Sequence, residues 1–148
     1  MPKPDPSLVD GLFQLSFVLL ARLSRIAAEH DLSVVQVRLL GILRDREPGM
    51  LELARHLELE KSSLSGLVDR AEKRGLVERI PSPSDRRAAT IRVTAQGRKL
   101  SRVIAEAVTA EVDALVHVLP EADRKRLAVL VERVCASSAT LGAASRTR

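Results

Sequence analysis

From Lys61 to Arg79 the chain reads Lys61-Ser62-Ser63-Leu64-Ser65-Gly66-Leu67-Val68-Asp69-Arg70-Ala71-Glu72-Lys73-Arg74-Gly75-Leu76-Val77-Glu78-Arg79. Over residues 61–74 the apolar side chains recur at helical spacing, and Gly75 is suited to the left-handed turn that follows a helix end. Beyond Gly75 the period changes. Residues 76–80 and 90–93 are short β-prone runs, and Thr90-Ile91-Arg92-Val93 alternates strictly. The segment between them, Pro81-Ser82-Pro83-Ser84-Asp85-Arg86-Arg87, is too polar and proline-rich for either element. A helix followed by a β-hairpin with a long basic tip is the expected arrangement.

Upstream, residues 50–57 form a short helix. Ser33-Val34-Val35-Gln36 is a capping box: the serine accepts from the third helical N–H, and Gln36 reaches back to the cap. The helix that follows turns Val37, Leu40 and Leu43 inward and ends before Pro48-Gly49. A long first helix over residues 8–29 carries Leu12, Phe13, Leu15, Phe17, Leu19, Leu20, Leu23 and Ile26, nearly all round its surface, which predicts burial against more than one neighbour. Downstream, Thr94 caps a long helix with Leu100, Val103, Ile104, Ala107, Val108, Val112, Leu115 and Leu119 at helical spacing. Pro120 suits the first turn of a last helix with Leu127, Leu130, Val131, Val134 and Leu141 on one face. The order is α-α-α-α-β-β-α-α, without internal repeats or low-complexity tracts.

The 148 residues fit one ordinary domain, and 45% hydrophobic with 29% charged residues is a globular composition. No apolar run is expected to reach the ~20 residues of a membrane span, since Arg22 stops Val18-Leu19-Leu20-Ala21. Met1-Pro2-Lys3-Pro4-Asp5-Pro6 has no apolar signal core. The single Cys135 excludes an internal disulfide and suits a reducing compartment. These features predict a soluble cytoplasmic protein with no membrane partner.

The charge is uneven. The formal net charge is +5, but residues 61–102 hold eleven basic and four acidic residues and so carry +7, which leaves −2 for the rest. A positive block flanked by mildly acidic ends points to a polyanion touched by one region. With 1% aromatic residues and neither Trp nor Tyr, stacking on single-stranded bases is disfavoured, and duplex DNA fits better. The fold class is mainly α with a small β-hairpin, a winged helix-turn-helix. The helix over residues 61–74 presents Lys61, Ser62, Ser63 and Ser65 as a small polar face able to enter a major groove, and its N-terminal N–H groups favour a phosphate. At the wing tip, Arg86 and Arg87 suit the narrow, negative minor groove. Asp85 beside them repels phosphate and is read as the carboxylate that accepts from an arginine and holds the wing in shape.

Several motifs together carry a family resemblance: Leu51-Glu52-Leu53-Ala54-Arg55-His56-Leu57, Ser62-Ser63-Leu64-Ser65, Leu67-Val68-Asp69-Arg70 and Lys73-Arg74-Gly75-Leu76-Val77-Glu78-Arg79. With the wing Ser84-Asp85-Arg86-Arg87, then Ile91-Arg92-Val93-Thr94-Ala95-Gln96-Gly97, the chain resembles the MarR family of multiple antibiotic resistance regulators over roughly residues 10–140. The resemblance implies a homodimeric transcription regulator, usually a repressor, on a palindromic operator, with a small-molecule effector in some members. It implies a single domain over residues 1–148, with a DNA-binding lobe over 33–99 and dimerisation helices over 7–32 and 100–142. DNA contacts then fall to Lys61, Ser62, Ser63, Ser65, Arg70, Arg86 and Arg87. Two residues depart from the family pattern. Glu60 stands where a Ser or Asn cap is common, and Gly66 where a longer polar side chain, often Arg, is frequent. Backbone and wing contacts then carry more of the affinity.

Other chemistries are weighed against this. Cys135 lies beside apolar Val131 and Val134 and is read as a buried or interface thiol rather than a peroxide sensor. His30, His56 and His117 lack metal-ligand spacing, and there is no phosphate-cradling glycine loop or nucleophile elbow, so no catalytic residue, metal or cofactor is assigned. Phe13 and Phe17 are candidates to line an effector pocket, with helical packing as the competing role. The alternative function is an architectural DNA binder with little sequence preference. A protein–protein adaptor is disfavoured by the basic wing.

Overall fold

In the computed structural model the described residues are Lys3, 5–85 and 88–144. The chain forms α1 (Pro6–Glu29), α2 (Val34–Leu43), α3 (Met50–Leu57), α4 (Lys61–Lys73), β1 (Val77–Pro81), β2 (Ala89–Val93), α5 (Ala95–Val116) and α6 (Glu121–Ala144). Two structural units divide between Ala110 and Glu111, within α5.

The first unit contains the core. Leu39, Leu40 and Leu43 of α2, Leu53 and Leu57 of α3, and Leu64, Leu67, Val68 and Ala71 of α4 close over Val77, Ile91 and Val93 of the hairpin. Local signals set the ends of these helices. The Ser33 capping box forms as predicted, with Gln36 N–H donating to Ser33 Oγ at 3.2 Å and Ser33 N–H donating to Gln36 Oε1 at 2.8 Å. At the end of α4, Gly75 takes φ +69° and Leu76 N–H donates back to Ala71 C=O at 3.0 Å, the left-handed closure its position predicted. Arg74 then ties this end to α1, its guanidinium donating to the carbonyls of Asp31 at 2.6 Å and His30 at 3.0 Å.

The hairpin is antiparallel, with Val77 opposite Val93 and Arg79 opposite Ile91. Its first strand runs on through Pro81, which pairs with Ala89, whereas the sequence placed Pro81 in the loop; a proline fits because this is the far end of a two-stranded sheet. On the other edge the residues before α3 contribute a single bridge, Gly49 to Thr90, with Ile91 N–H donating to Pro48 C=O at 2.9 Å. The second unit holds the end of α5 and α6, where Asp113 meets Arg124 at 3.6 Å and Glu121 meets Lys125 at 2.6 Å. Helix α5 ends at Val116, so Leu119 lies in the connection rather than on the helix.

One expectation is corrected, and two are not met within one chain. Helix α1 was expected to be buried on several sides, yet within one chain only Ile26 and Ala27 are buried, and Leu12, Phe13, Phe17 and Leu20 are exposed. The same helix was expected to fall short of membrane-spanning length, yet by length and composition it is long and apolar enough to cross a membrane. Alanine, serine and glycine between the large apolar residues let an 18-residue stretch hold few charges, a property that a run of large residues alone does not reveal. Of the two places expected for Cys135, burial within one chain is not found: the thiol is exposed, as are Val131 and Val134 beside it, which leaves the interface reading.

The tightest backbone approach is at the start of α5. Thr94 Oγ1 accepts from Gly97 N–H at 3.0 Å, which confirms the predicted cap, and donates to Gly75 C=O at 2.6 Å. A β-carbon on Gly97 would lie 2.1 Å from Leu76 O and 2.7 Å from Val93 Cγ2. Gly97→Ala is therefore expected to cost about 3 kcal/mol or more of unfolding free energy, at the upper end of overpacking effects, in urea titration. A loss below about 0.5 kcal/mol, the scale of an ordinary surface change, would contradict this joint.

Candidate nucleic-acid interface

Helix α4 has two contrasting faces. Leu64, Leu67, Val68 and Ala71 are buried, while Lys61, Ser62, Ser63, Asp69, Arg70 and Lys73 are exposed and Ser65 and Gly66 are half-buried. The predicted small polar face is thus assembled on one helix. The N-cap residue Glu60 makes no side-chain capping bond, so the first N–H groups of this 13-residue helix are not taken up by its cap. Open N–H groups at a helix start are suited to a phosphate oxygen. The helix-turn-helix turn is tight: Glu58 adopts φ 55° and Leu59 N–H donates to Ala54 C=O at 3.0 Å.

Two acids stand on the exposed side of this helix, Asp69 and Glu72, where they would repel a polyanion. Arg79 of β1 takes both. Its Nη2 lies 2.6 Å from Asp69 Oδ1, and its Nη1 pairs with Glu72 Oε2. The hydrogen bond to Asp69 does most to hold the Arg79 guanidinium protonated beyond its ordinary range, against partial burial and with the two acid charges adding to it. The same clamp joins the recognition helix to the root of the wing. Arg92 of β2 acts likewise on the other edge: its Nε donates to Glu47 Oε1 at 2.8 Å, and Nη1 approaches Glu78 at 3.8 Å. That hydrogen bond to Glu47 is the main reason its pKa is raised.

Charge counting could not see this distribution. Of the basic residues in the central block, Arg74, Arg79 and Arg92 are spent inside the protein, on backbone carbonyls or on acids. A signal for Arg79 was present in the three-residue spacing of Asp69 and Glu72, which puts both carboxylates on one side of a helix. The site residues Arg86 and Arg87 lie outside the described residues. Next to them, Asp85 is exposed and its carbonyl accepts from Ala88 N–H at 3.1 Å, while Ser82 N–H donates to Ala88 C=O at 2.8 Å. Between α4 and the hairpin runs a groove of about 540 Å³ lined by Met50, Leu51, Ala54, Lys61, Ser65 and Ala89.

The two phenylalanines proposed for an effector pocket are not gathered into a cavity within one chain. Phe13 is 63% and Phe17 68% exposed. A cavity of about 210 Å³ instead lies among Leu23 of α1, Val37, Leu40 and Gly41 of α2, and Ser101, Ile104 and Val108 of α5, with Arg44 beside it. The Ser101 hydroxyl is buried without a hydrogen-bond partner among the described residues. Among the described residues no three His, Cys, Asp or Glu side chains stand together in a way that could hold a metal.

Comparison with known proteins points in one direction. The profile of the MarR family matches residues 30–88. The HTH-type transcriptional regulator FarR of Neisseria gonorrhoeae is 32% identical over 112 residues, 74% of this chain and 75% of that protein. The regulator PecS of Dickeya dadantii is 31% identical over 136 residues, 88% of this chain and 81% of that protein. Among solved structures, NadR in complex with 4-hydroxyphenylacetate matches with a TM-score of 0.70 and 28% identity, over 90% of this chain and 97% of that one.

The Arg79 clamp is testable on its own. All three side chains are partly exposed, so solvent screening limits its net worth to about 1 kcal/mol. Arg79→Met is expected to lower stability by that amount in urea titration and to weaken duplex binding in low salt, because two carboxylates then face the phosphates uncompensated. Unchanged duplex binding would show that Asp69 and Glu72 do not face the nucleic acid.

Proposed function

Since the chain belongs to the MarR family of transcriptional regulators, whose members are DNA-binding and not enzymes, we propose that it acts as a homodimeric repressor on a palindromic operator. The observation that carries this reading is the exposed small polar face of α4 with its acids neutralised by Arg79. Residues 33–99 form the DNA-binding lobe within one domain over 1–148. In it Lys61, Ser62, Ser63, Ser65 and Arg70 meet the major groove, and Arg86 and Arg87 of each wing, shaped by Asp85, enter a minor groove. Residues 7–32 and 100–142 pair two copies about a two-fold axis. Support comes from the apolar surface that one chain leaves open: Leu12, Phe13, Phe17 and Leu20 of α1 and Leu130, Val131 and Val134 of α6. A second copy, rather than a bilayer, is the cover we assign to α1, and the protein is assigned to the cytoplasm. In that dimer Phe13, Phe17 and Cys135 are interface residues.

The family includes ligand-bound members, as the NadR complex with 4-hydroxyphenylacetate illustrates. We assign the corresponding effector role here to the cavity that holds the unpartnered Ser101 hydroxyl, with Arg44, which pairs with Asp45 at 2.8 Å, at its rim. Release of bound DNA by 4-hydroxyphenylacetate, lost in Ser101→Ala, is the expected result. Equal release from both proteins would place the effector elsewhere.

The wing tests the DNA reading and the dimer together. Each Arg→Ala change at position 86 or 87 removes one phosphate-facing charge per copy, hence two per dimer. The slope of log affinity against log salt is then expected to flatten by roughly 2, with affinity falling for all sequences. Filter binding at several salt concentrations, with light scattering to fix the stoichiometry, measures both. An unchanged slope in both mutants, or a stable monomer at micromolar concentration, would overturn the reading.

A further inference from the structure

Gly66 lies half-buried near the centre of α4, one turn from the exposed Ser62 on one side and the exposed Arg70 on the other. An ideal β-carbon built on Gly66 would lie 3.3 Å from Arg70 Nη1, a side-chain atom from one turn further along. Long side chains on a helix lean toward its N-terminus, so Arg70 lies back along α4 and its guanidinium occupies the place that a residue-66 side chain would fill. Arg70 belongs to the last turns of the helix, whereas recognition helices meet base edges mainly with their N-terminal part. Lying back carries the charge about 5.4 Å, one helical turn, toward that part.

Two further features keep the guanidinium there for a ligand. Asp69 and Glu72, the acids nearest to it on α4, are both engaged by Arg79. Among the described residues no carboxylate pairs with Arg70. Near Gly66 toward the start of α4 stand two short side chains, the exposed Ser62 and the half-buried Ser65, which leave room for a close approach to a groove floor. Placed over Gly66, the guanidinium stands near the middle of the exposed helix face, the part that enters a groove, rather than beyond the helix end.

Resting on the DNA-binding reading above, we infer that Arg70, laid over Gly66, is the fork that reads a guanine in the major groove, through its O6 and N7 acceptors. Gly66 is then a specificity-determining residue: the missing side chain makes the place that Arg70 fills.

The test is selection from a random duplex pool by the full-length protein, followed by sequencing, for wild type, Arg70→Lys and Gly66→Leu. Arg70 is exposed and Gly66 half-buried, and thermal denaturation with light scattering checks the fold and assembly of each variant. The wild type is expected to enrich a motif with one guanine per half-site that depends on residue 70. Arg70→Lys retains the charge but not the bidentate fork, so discrimination at that guanine should fall roughly 5- to 150-fold while other positions stay enriched. Gly66→Leu leaves the charge in place and fills the space, and it should relax the same position. A motif identical in all three proteins would overturn the inference and leave the DNA reading standing. So would a uniform loss across the motif with a flatter salt slope, which marks a phosphate contact. If the wild type enriched no motif at all, both readings would fail.

Discussion

The joint at Thr94 holds the DNA-binding unit together. Its hydroxyl donates to Gly75 C=O at 2.6 Å and accepts from Gly97 N–H at 3.0 Å, and its own N–H donates to Leu76 C=O at 3.0 Å. Three elements therefore meet on one residue: the end of the recognition helix, the strand β1 that leads into the wing, and the start of α5. Each polar group buried there is satisfied, which is what allows the backbones to approach so closely. The approach is close enough that only glycine fits at position 97. Because the wing and the recognition helix are fixed to a common point, their separation is set before any nucleic acid arrives.

Electrostatics completes what this joint arranges. A recognition helix that carries Asp69 and Glu72 would face a polyanion badly, and Arg79 on the adjoining strand removes that conflict while bracing the wing root. Arg92 does similar work with Glu47 and Glu78, and Arg74 is used on carbonyls at the end of α1. What stays available is sorted by position: Lys61 and the serines at the start of α4, and Arg70 over Gly66 along its middle.

Much of this was legible in the residues because the deciding signals are local. The Ser33–Gln36 capping box, the left-handed Gly75 and the Thr94 cap each act within a few residues, and each forms where the pattern placed it. The recognition helix and hairpin followed from the change of period after Gly75. What escaped depends on pairings between elements or between chains. Arg79 counted as a free charge because its partners lie on a different element. The exposure of Phe13, Phe17 and Cys135 escaped because an apolar helix face announces that it needs a cover without saying what supplies it. Position 66 was read as a missing side chain, and only the placement of Arg70 shows what occupies the space.

A winged helix that recognises a particular DNA sequence differs in its binding from one that merely holds duplex DNA. The most direct measurement is the ratio of affinities for a fragment from the promoter of its own gene and for random duplex of equal length, at one fixed salt concentration. Sequence-specific recognition gives a ratio on the order of 10³ or more at physiological salt. A ratio near one, with both affinities falling equally as salt rises, would contradict it and make the protein an architectural DNA binder.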